Sequence, residues 1–175
     1  MKNLAQKYGS IFAIAAVIVI LDQWTKWLVR TNIISGEAWL PASLQWLMPY
    51  ARIVHWYNTG AAFGMFKDAS MILTVLAFVV IGAILFYYPQ VEKDDWLLRL
   101  ALSLQLGGAL GNLVDRLTIG HVTDFISVGN FPVFNVADAS ITIGAVLLFL
   151  DVWLRERAEK KNDKSLDLPG ETTGE

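Results

Sequence analysis

The chain has 175 residues, of which 55% are hydrophobic and only 17% are charged, and its mean hydropathy is +0.46. Soluble domains typically contain about 45–50% apolar and about 25% charged residues, so the composition excludes an ordinary soluble domain, and the length favours a single domain. A net charge of −2 without a basic stripe argues against a nucleic-acid partner, and the absence of cysteine excludes disulfides, a thiolate nucleophile and thiolate metal sites.

Four segments meet the length needed to cross a bilayer, which is about 20 mostly apolar residues. These segments are 10–29, 69–88, 96–114 and 136–154. An even number of spans puts both termini on one side of the membrane. Lysines precede the first span and basic residues follow the last, so the positive-inside rule predicts cytoplasmic termini. Segments 30–68 and 115–135 then face outward.

The first outward segment, 30–68, predicts a small sheet. Residues 52–57 are rich in β-branched and aromatic side chains, which favours a strand. The triplet Asn58-Thr59-Gly60 is typical of a turn, and 61–64 are expected to return as a second strand. The three tryptophans of this segment either lie on the membrane surface or fill a small core, and the sequence leaves both open.

The second outward segment, 115–135, contains Gly120, Gly129 and Pro132 and predicts a loop with one helical turn. Residues 1–155 therefore form a single all-α membrane domain of four transmembrane helices with a small outward-facing β-sheet segment and a short outer loop or helix. Residues 156–175 are charged, have no apolar periodicity and predict a disordered cytoplasmic tail.

Asp22 and Lys26 are four residues apart in the first predicted helix, in the favourable acid-before-base order. Ionisable residues within a membrane span are costly, so each needs a partner or a function. We interpret these two as an internal ion pair that fastens the first helix to the bundle. By turn chemistry Asn58 is structural, although its amide also suits contact with a substrate backbone.

Asn112, Asp115 and Arg116 share one face at the outer end of the third helix. Asp115 has an adjacent counter-ion in Arg116, which predicts an ion pair between them. Gly107 and Gly111 precede this face and form a Gly-x-x-x-Gly pair, which allows another helix to approach closely.

Asn135 and Asp138 stand three apart at the start of the fourth helix, as a helix cap and its N3 acid do. A capping role for Asp138 is compatible with a catalytic role, because the helix N-terminus would hold its carboxylate rigidly at the membrane edge. Asp124 is harder to explain structurally, since apolar residues flank it and desolvation should raise its pKa. A second carboxylate nearby would leave one group protonated and one ionised, as general acid–base hydrolysis requires.

Other chemistry has less support. The sequence contains no His-Glu-x-x-His zinc motif and no Gly-x-Ser-x-Gly elbow. Asp115, Asp124, Asp138 and the asparagines offer oxygen ligands suited to Mg²⁺ or Ca²⁺, but no loop spacing supports such a site. Two further alternatives stay open: a small proton-coupled transporter using Asp22 and Lys26 with the other aspartates as a relay, and a structural assembly factor.

The chain resembles the lipoprotein signal peptidase family, also called signal peptidase II. Five motifs in order over the four spans carry the resemblance. They are Asp22-Gln23-x-x-Lys26, Asn58-Thr59-Gly60-Ala61-Ala62-Phe63, Gly111-Asn112-x-x-Asp115-Arg116, Val122-x-Asp124-Phe125-Ile126 and Phe134-Asn135-x-Ala137-Asp138.

The resemblance implies a bacterial membrane aspartic endopeptidase with Asp124 and Asp138 as its catalytic dyad and with no metal or organic cofactor. Its substrates would be prolipoproteins with a diacylglyceryl group on the lipobox cysteine, cleaved just before that cysteine at the outer face of the cytoplasmic (inner) membrane. Besides these substrates it would contact membrane lipids. The resemblance further implies sensitivity to globomycin, and we expect a monomer. The resemblance assigns substrate or inhibitor binding and site support to Asn58, Asn112, Arg116 and Asn135. Asp22 and Asp115 match positions that hold the site together, and Lys26 is a further residue of substrate binding or site support.

Overall fold

The computed structural model describes residues 4–60 and 69–166, which form four long helices and a three-stranded antiparallel sheet. The helices are α1 (Leu4–Asn32), α2 (Ala69–Tyr87), α3 (Trp96–Ile119) and α4 (Val136–Leu166), and the strands are β1 (Ala38–Trp39), β2 (Ala51–Asn58) and β3 (Val122–Val128). Short 3-10 helices occupy Ala42–Leu47 and Tyr88–Gln90. The predicted fold class is confirmed. The return strand expected at 61–64 lies outside the described residues.

All four helices are long and apolar enough to cross a membrane. Most of α3 is buried, whereas α1, α2 and α4 expose most of their apolar residues, so α3 is the central helix. Side chains such as Phe86 and Phe149 are 78% and 79% exposed. Apolar surface on this scale is not stable in water, and lipid chains cover it in a multi-pass membrane protein.

Glycines on α3 allow its neighbours to approach closely. A Cβ on Gly107 would lie 2.7 Å from the Ile18 side chain of α1, and one on Gly108 would overlap the Ala137 carbonyl oxygen of α4. Gly111 faces the carboxylate of Asp22. The close approach predicted from the Gly-x-x-x-Gly pair is confirmed, and the contact of Gly108 with α4 adds to it.

The sheet lies at one end of the helix bundle, with β2 between β1 and β3. The path of the chain explains the place of the sheet. Helix α3 ends at Ile119, and its C-cap Gly120 has a φ of 79°, the left-handed conformation that terminates helices. The chain then enters β3 and leaves it for α4. The prediction of a loop with one helical turn over 115–135 was wrong at 122–128, which pair with β2 as a strand. Residues 115–119 are helical, as the last part of α3.

The tail prediction also needs correction, because α4 continues to Leu166, eleven residues past the predicted boundary at 155. This extension consists mainly of good helix formers with charges at helical spacing. Arg155 pairs with Asp151 at 2.8 Å and Lys160 with Glu156 at 3.9 Å, each four residues apart. Residues 167–175 of the predicted tail lie outside the described residues.

Candidate active site

A β-bulge places Asn58 beside Asp124. The register of β2 against β3 shifts between Ile53 and Trp56, where β2 carries one extra residue. Beyond the bulge, Asn58 lies opposite Val122, two residues from Asp124. Side chains two apart on a strand share a face, so Asn58 and Asp124 point to the same side of the sheet. Without the extra residue, the side chain of Asn58 would lie on the other face.

Asp124 is buried in β3, with 1% of its surface exposed. Its Oδ2 accepts a hydrogen bond from Asn58 Nδ2 at 2.9 Å, and its Oδ1 accepts one from Asn135 Nδ2 at 2.7 Å. Burial raises the pKa of Asp124 from 3.8 to about 6, the hydrogen bond from Asn58 opposes that rise, and the charge of Asp138 adds to it. The raised pKa predicted from the apolar neighbours is confirmed.

Asp138 is half-buried in the first turn of α4 and forms a reciprocal cap with Asn135. Asn135 Oδ1 accepts the Asp138 backbone N–H at 2.9 Å, and Asp138 Oδ2 accepts the Asn135 backbone N–H at 3.1 Å. The predicted cap is confirmed. Because the Asn135 amide also donates to Asp124, the cap and the carboxylate pair share one residue.

Asn112, on α3, connects this pair to Lys26 of α1. Its Nδ2 donates to Asp138 Oδ1 at 2.8 Å. Its Oδ1 accepts hydrogen bonds from Asn135 Nδ2 at 3.0 Å and from Lys26 Nζ at 2.9 Å. Asn112 is buried, so each polar atom of its side chain has a partner within the protein.

A buried charge cluster lies beneath Asn112. Lys26 Nζ is 2.8 Å from Asp22 Oδ2 and 3.2 Å from Asp115 Oδ2, and these side chains are almost completely buried. Asp22 Oδ1 also accepts the Ala137 backbone N–H at 2.9 Å, which joins α1 to α4. The predicted ion pair between Asp22 and Lys26 is confirmed. Removing one member of such a cluster costs about 3–5 kcal/mol, because it leaves an uncompensated charge.

The counter-ions of Asp115 come from α1, so the predicted pairing of Asp115 with Arg116 was wrong. Asp115 Oδ1 is 3.4 Å from Arg30 Nη1, and its Oδ2 pairs with Lys26 and accepts the Thr123 backbone N–H at 3.0 Å. Asp115 thereby anchors the start of β3, one residue before Asp124 in the chain. The reason is helix packing. Asp115 lies on the face of α3 that packs against α1, and Arg116, the next residue on the helix, points in another direction.

Arg116 is half-buried, and its charge interacts with those of Asp138, Asp124 and Asp115. Within the described ranges, none of the ion pairs involves Arg116. A guanidinium near two carboxylates, with donors that are not used in an ion pair, is suited to bind a polar group of a substrate.

Three residues of the network were absent from the predicted site. Arg30 donates to Thr123 Oγ1 at 3.1 Å, and Gln23 Nε2 donates to Asp115 Oδ1 at 3.1 Å. Arg30 follows Lys26 by four residues, so helical spacing could have found it. Gln23 belongs to the first motif of the family resemblance. No local pattern marks Thr123, because its role depends on the contacts of β3 with α1 and α3.

The tryptophans of the sheet region do not form a core. Trp39, Trp46 and Trp56 are 53%, 69% and 56% exposed. Of the two interpretations left open by the sequence, exposure favours the membrane surface, where indole rings are enriched. Trp56 is also opposite Asp124 in the sheet register, so it borders the carboxylate pair.

The arrangement is suited to general acid–base chemistry. Two carboxylates share the hydrogen-bond network of one asparagine, and one of them has a pKa near 6. Such a pair shares one proton at a pH between its two macroscopic pKa values, where one group can accept a proton while the other donates. Within 4–60 and 69–166, no three histidine or carboxylate side chains are grouped to hold a metal ion.

Comparison with known proteins supports a peptidase. Residues 14–154 match the family described as signal peptidase (SPase) II. The chain belongs to the signal peptidase II family. It is 40% identical to the lipoprotein signal peptidase of Shouchella clausii over 154 residues, covering 87% of this chain and 99% of that protein. Identity to the lipoprotein signal peptidase of Halalkalibacterium halodurans is 38%, covering 86% of this chain and 96% of the relative.

A solved bacterial membrane enzyme structure superposes with a TM-score of 0.75 at 29% identity, covering 87% of this chain and 92% of that chain. A second such structure gives a TM-score of 0.74 at 30% identity, covering 82% and 92%. The family match includes α2, α3, the sheet and most of α1 and α4. This member of the signal peptidase II family is therefore a multi-pass membrane peptidase.

Proposed function

We propose that the protein is an aspartic endopeptidase that removes the signal peptide from diacylglyceryl-modified prolipoproteins, cutting just before the lipobox cysteine. Asp124 and Asp138 act as the catalytic dyad without a metal ion. The observation that carries the proposal is their joint contact with Asn135, at 2.7 Å and 3.1 Å, combined with the pKa of about 6 for Asp124. Membership of the signal peptidase II family supports the substrate class.

In the proposed reaction, one ionised carboxylate of the dyad takes a proton from water, and the water oxygen attacks the scissile carbonyl carbon. The other carboxyl group donates its proton to the carbonyl oxygen, forming a neutral tetrahedral intermediate. When the C–N bond breaks, the protonated carboxyl group of the dyad gives its proton to the leaving amine, and the other carboxylate takes a hydroxyl proton from the intermediate. The dyad therefore again holds one proton. Burial favours the protonated form of Asp124, so we assign the donated proton to Asp124 and the deprotonation of water to Asp138.

The proposed setting is the cytoplasmic (inner) membrane of a bacterium, with both termini in the cytoplasm and the sheet at the outer face. Lys2 and Lys7, before the first apolar span, and the basic residues at the end of α4 support this orientation. The dyad then lies at the outer ends of α3 and α4, level with the lipid headgroups. A substrate anchored by acyl chains can reach that depth laterally, from within the bilayer. We propose a monomer for this reaction.

The test uses the purified protein with a lipidated prolipoprotein in proteoliposomes. We expect Asp124→Asn and Asp138→Asn each to abolish release of the signal peptide, because neither variant can share a proton between two carboxyl groups. Asp94→Asn is the matched control, since Asp94 is exposed between α2 and α3, far from the dyad in the chain. EDTA should leave the rate of the parent protein unchanged, and a precursor without diacylglyceryl should not be cleaved.

Full processing by either dyad variant would disprove the assignment of Asp124 and Asp138. If the parent protein processed no lipidated precursor, a proton-coupled transporter or a structural factor would be the better hypothesis. Loss of activity with EDTA would point to a metal-dependent reaction.

A further inference from the structure

We propose that Lys26 is a positioning residue for the dyad and that it acts by orienting the side-chain amide of Asn112. This inference rests on the proposed function, because it assigns Lys26 a task in the same reaction. The sequence pattern alone favours a purely structural ion pair with Asp22. That pair uses only one of the three N–H donors of the Lys26 ammonium group.

The second and third donors define what Lys26 does. Its Nζ lies 2.8 Å from Asp22 Oδ2, 2.9 Å from Asn112 Oδ1 and 3.2 Å from Asp115 Oδ2, and the side chain is 0% exposed. An ammonium group donates three hydrogen bonds and accepts none. The atom of Asn112 that faces Lys26 must therefore be the carbonyl oxygen.

This orientation sets what Asn112 presents to the dyad. With Oδ1 turned toward Lys26, the NH₂ group faces Asp138 Oδ1 at 2.8 Å. Rotating the amide by half a turn would put its NH₂ against the ammonium and its oxygen against the carboxylate. Both contacts would be repulsive, and the buried groups would lose their partners. The direction of hydrogen bonding thus runs from Lys26 through Asn112 to Asp138.

A second anchor holds the same amide from the other side. Asn135 Nδ2 donates to Asn112 Oδ1 at 3.0 Å, and the orientation of Asn135 is set by its cap on the Asp138 backbone N–H. Loss of Lys26 should therefore loosen Asn112 without freeing it. The expected effect is a reduced turnover number and not complete inactivity.

Arg30 provides a matched control within the same charge cluster. Its Nη1 is 3.4 Å from Asp115 Oδ1 and donates to Thr123 Oγ1, but the described contacts of Arg30 do not include Asn112. A role limited to charge balance would apply to both cations. A positioning role applies to Lys26 alone.

The experiment compares purified double variants, which keep the net charge of the cluster, with the single variant Asp22→Asn. Lys26→Met with Asp22→Asn removes one positive and one negative charge, and Asp22→Asn alone controls for the second change. We expect kcat of the double variant to fall on the order of 10- to 100-fold below that of Asp22→Asn, at unchanged KM, because the reacting group is misplaced while substrate contacts remain. Arg30→Met with Asp22→Asn, which removes the same charges, should keep a higher kcat than the Lys26→Met double variant, because Arg30 does not contact Asn112.

Two further variants make the result specific. Replacing Lys26→Met by Lys26→Gln, again with Asp22→Asn, keeps a donor without the charge, so its kcat should lie between those of Asp22→Asn and the Met double variant. In an Asn112→Ala background, adding the Met double substitution should cause no further loss relative to adding Asp22→Asn alone, because the amide to be oriented is gone.

Equal kcat in the Met double variant and Asp22→Asn, or a full additional loss in the Asn112→Ala background, would overturn the inference. If the Met double variant does not fold, the Gln variant decides: a kcat equal to that of Asp22→Asn overturns it, and a lower one at the same KM supports it. These outcomes are separate from the proposed function, which depends on cleavage by the parent protein and its loss in Asp124→Asn.

Discussion

Asn58 donates a hydrogen bond of 2.9 Å to Asp124 across the sheet, although the two residues are diagonal neighbours in the register. At the same time Asn58 Oδ1 accepts the backbone N–H of Gly60 at 2.8 Å. Because the turn uses the oxygen, the amide presents its NH₂ group to the carboxylate. The turn predicted at Asn58 is therefore present and also orients a donor toward the proposed dyad.

Asn58→Ala should lower kcat by about 10- to 100-fold, because a hydrogen bond to a charged group contributes about 1.5–3 kcal/mol. The measurement is the rate of signal-peptide release from a lipidated precursor. Asn130→Ala is the control, since Asn130 is also an exposed asparagine and lies in the turn after β3. Equal rates for the two variants would show that the contact between Asn58 and Asp124 does not contribute to the reaction.

The raised pKa of Asp124 predicts that the difference in stability between Asp124→Asn and the parent protein depends on pH. The pKa in the folded protein, about 6, exceeds the ordinary value of 3.8, so the folded state binds more protons between these pH values. The corresponding stability is fully present below the lower pKa and is lost as pH rises through about 6. Asp124→Asn does not ionise. Its melting temperature in detergent, relative to that of the parent, should therefore increase between acidic and neutral pH.

The amide introduced by Asp124→Asn also faces two NH₂ donors, which shifts the melting temperature by an offset that does not vary with pH. The slope of the difference is therefore the informative quantity. Asp94→Asn, at an exposed position, should show a flat difference over the same range. A flat difference for Asp124→Asn would mean that its carboxyl group ionises as easily in the folded protein as in the unfolded one.

Two glycine substitutions test the packing of α3. Gly108→Ala would place a Cβ against the Ala137 carbonyl oxygen and Ser140 Oγ, so we expect destabilisation by about 1–3 kcal/mol from overpacking. Gly82→Ala, in α2, has no atom within 4 Å of the new Cβ and should stabilise the helix by about 0.5–1 kcal/mol. Thermal unfolding in detergent measures both. Equal melting temperatures would show that α3 and α4 are not in tight contact at Gly108.

The exposed tryptophans of the sheet region predict a role in substrate capture. Trp56 borders Asp124 in the register, and Trp46 is 69% exposed in the 3-10 helix before β2. Trp46→Ala with Trp56→Ala should raise KM by about 10-fold or more. The reason is that burying one large apolar side chain against the substrate stabilises the complex by about 1.5–3 kcal/mol. Trp96→Ala, which is 67% exposed at the start of α3, is the control. An unchanged KM would exclude contact between these rings and the substrate.

Local patterns were sufficient for much of the fold. The lengths of the apolar runs placed all four helices, and the spacing of Asn135 and Asp138 identified the cap at the start of α4. The spacing of Asp22 and Lys26 identified their ion pair. These features depend on residues three or four apart, or on continuous apolar length, and the chain specifies both directly.

Predictions from neighbouring residues failed where the partner of a residue or segment lies on another element of the fold. Asp115 has Arg116 beside it in sequence, but its partners are Lys26 and Arg30 on another helix. Segment 122–128 is rich in β-branched and aromatic residues, a strand signal that the prediction based on Gly120, Gly129 and Pro132 did not use, and it pairs with β2. Contacts between elements depend on helix rotation and strand register, which a local pattern does not contain.

The sequence by itself determined the membrane class, the helices and the family resemblance that pairs Asp124 with Asp138. Only the tertiary structure decided how the two are connected: the bulge in β2 turns Asn58 toward Asp124, and Asn135 contacts both aspartates. The physical reason is that burial makes each of these polar groups depend on a partner distant in the chain. Their hydrogen bonds, and the chemistry they support, exist only once the sheet and the four helices have assembled.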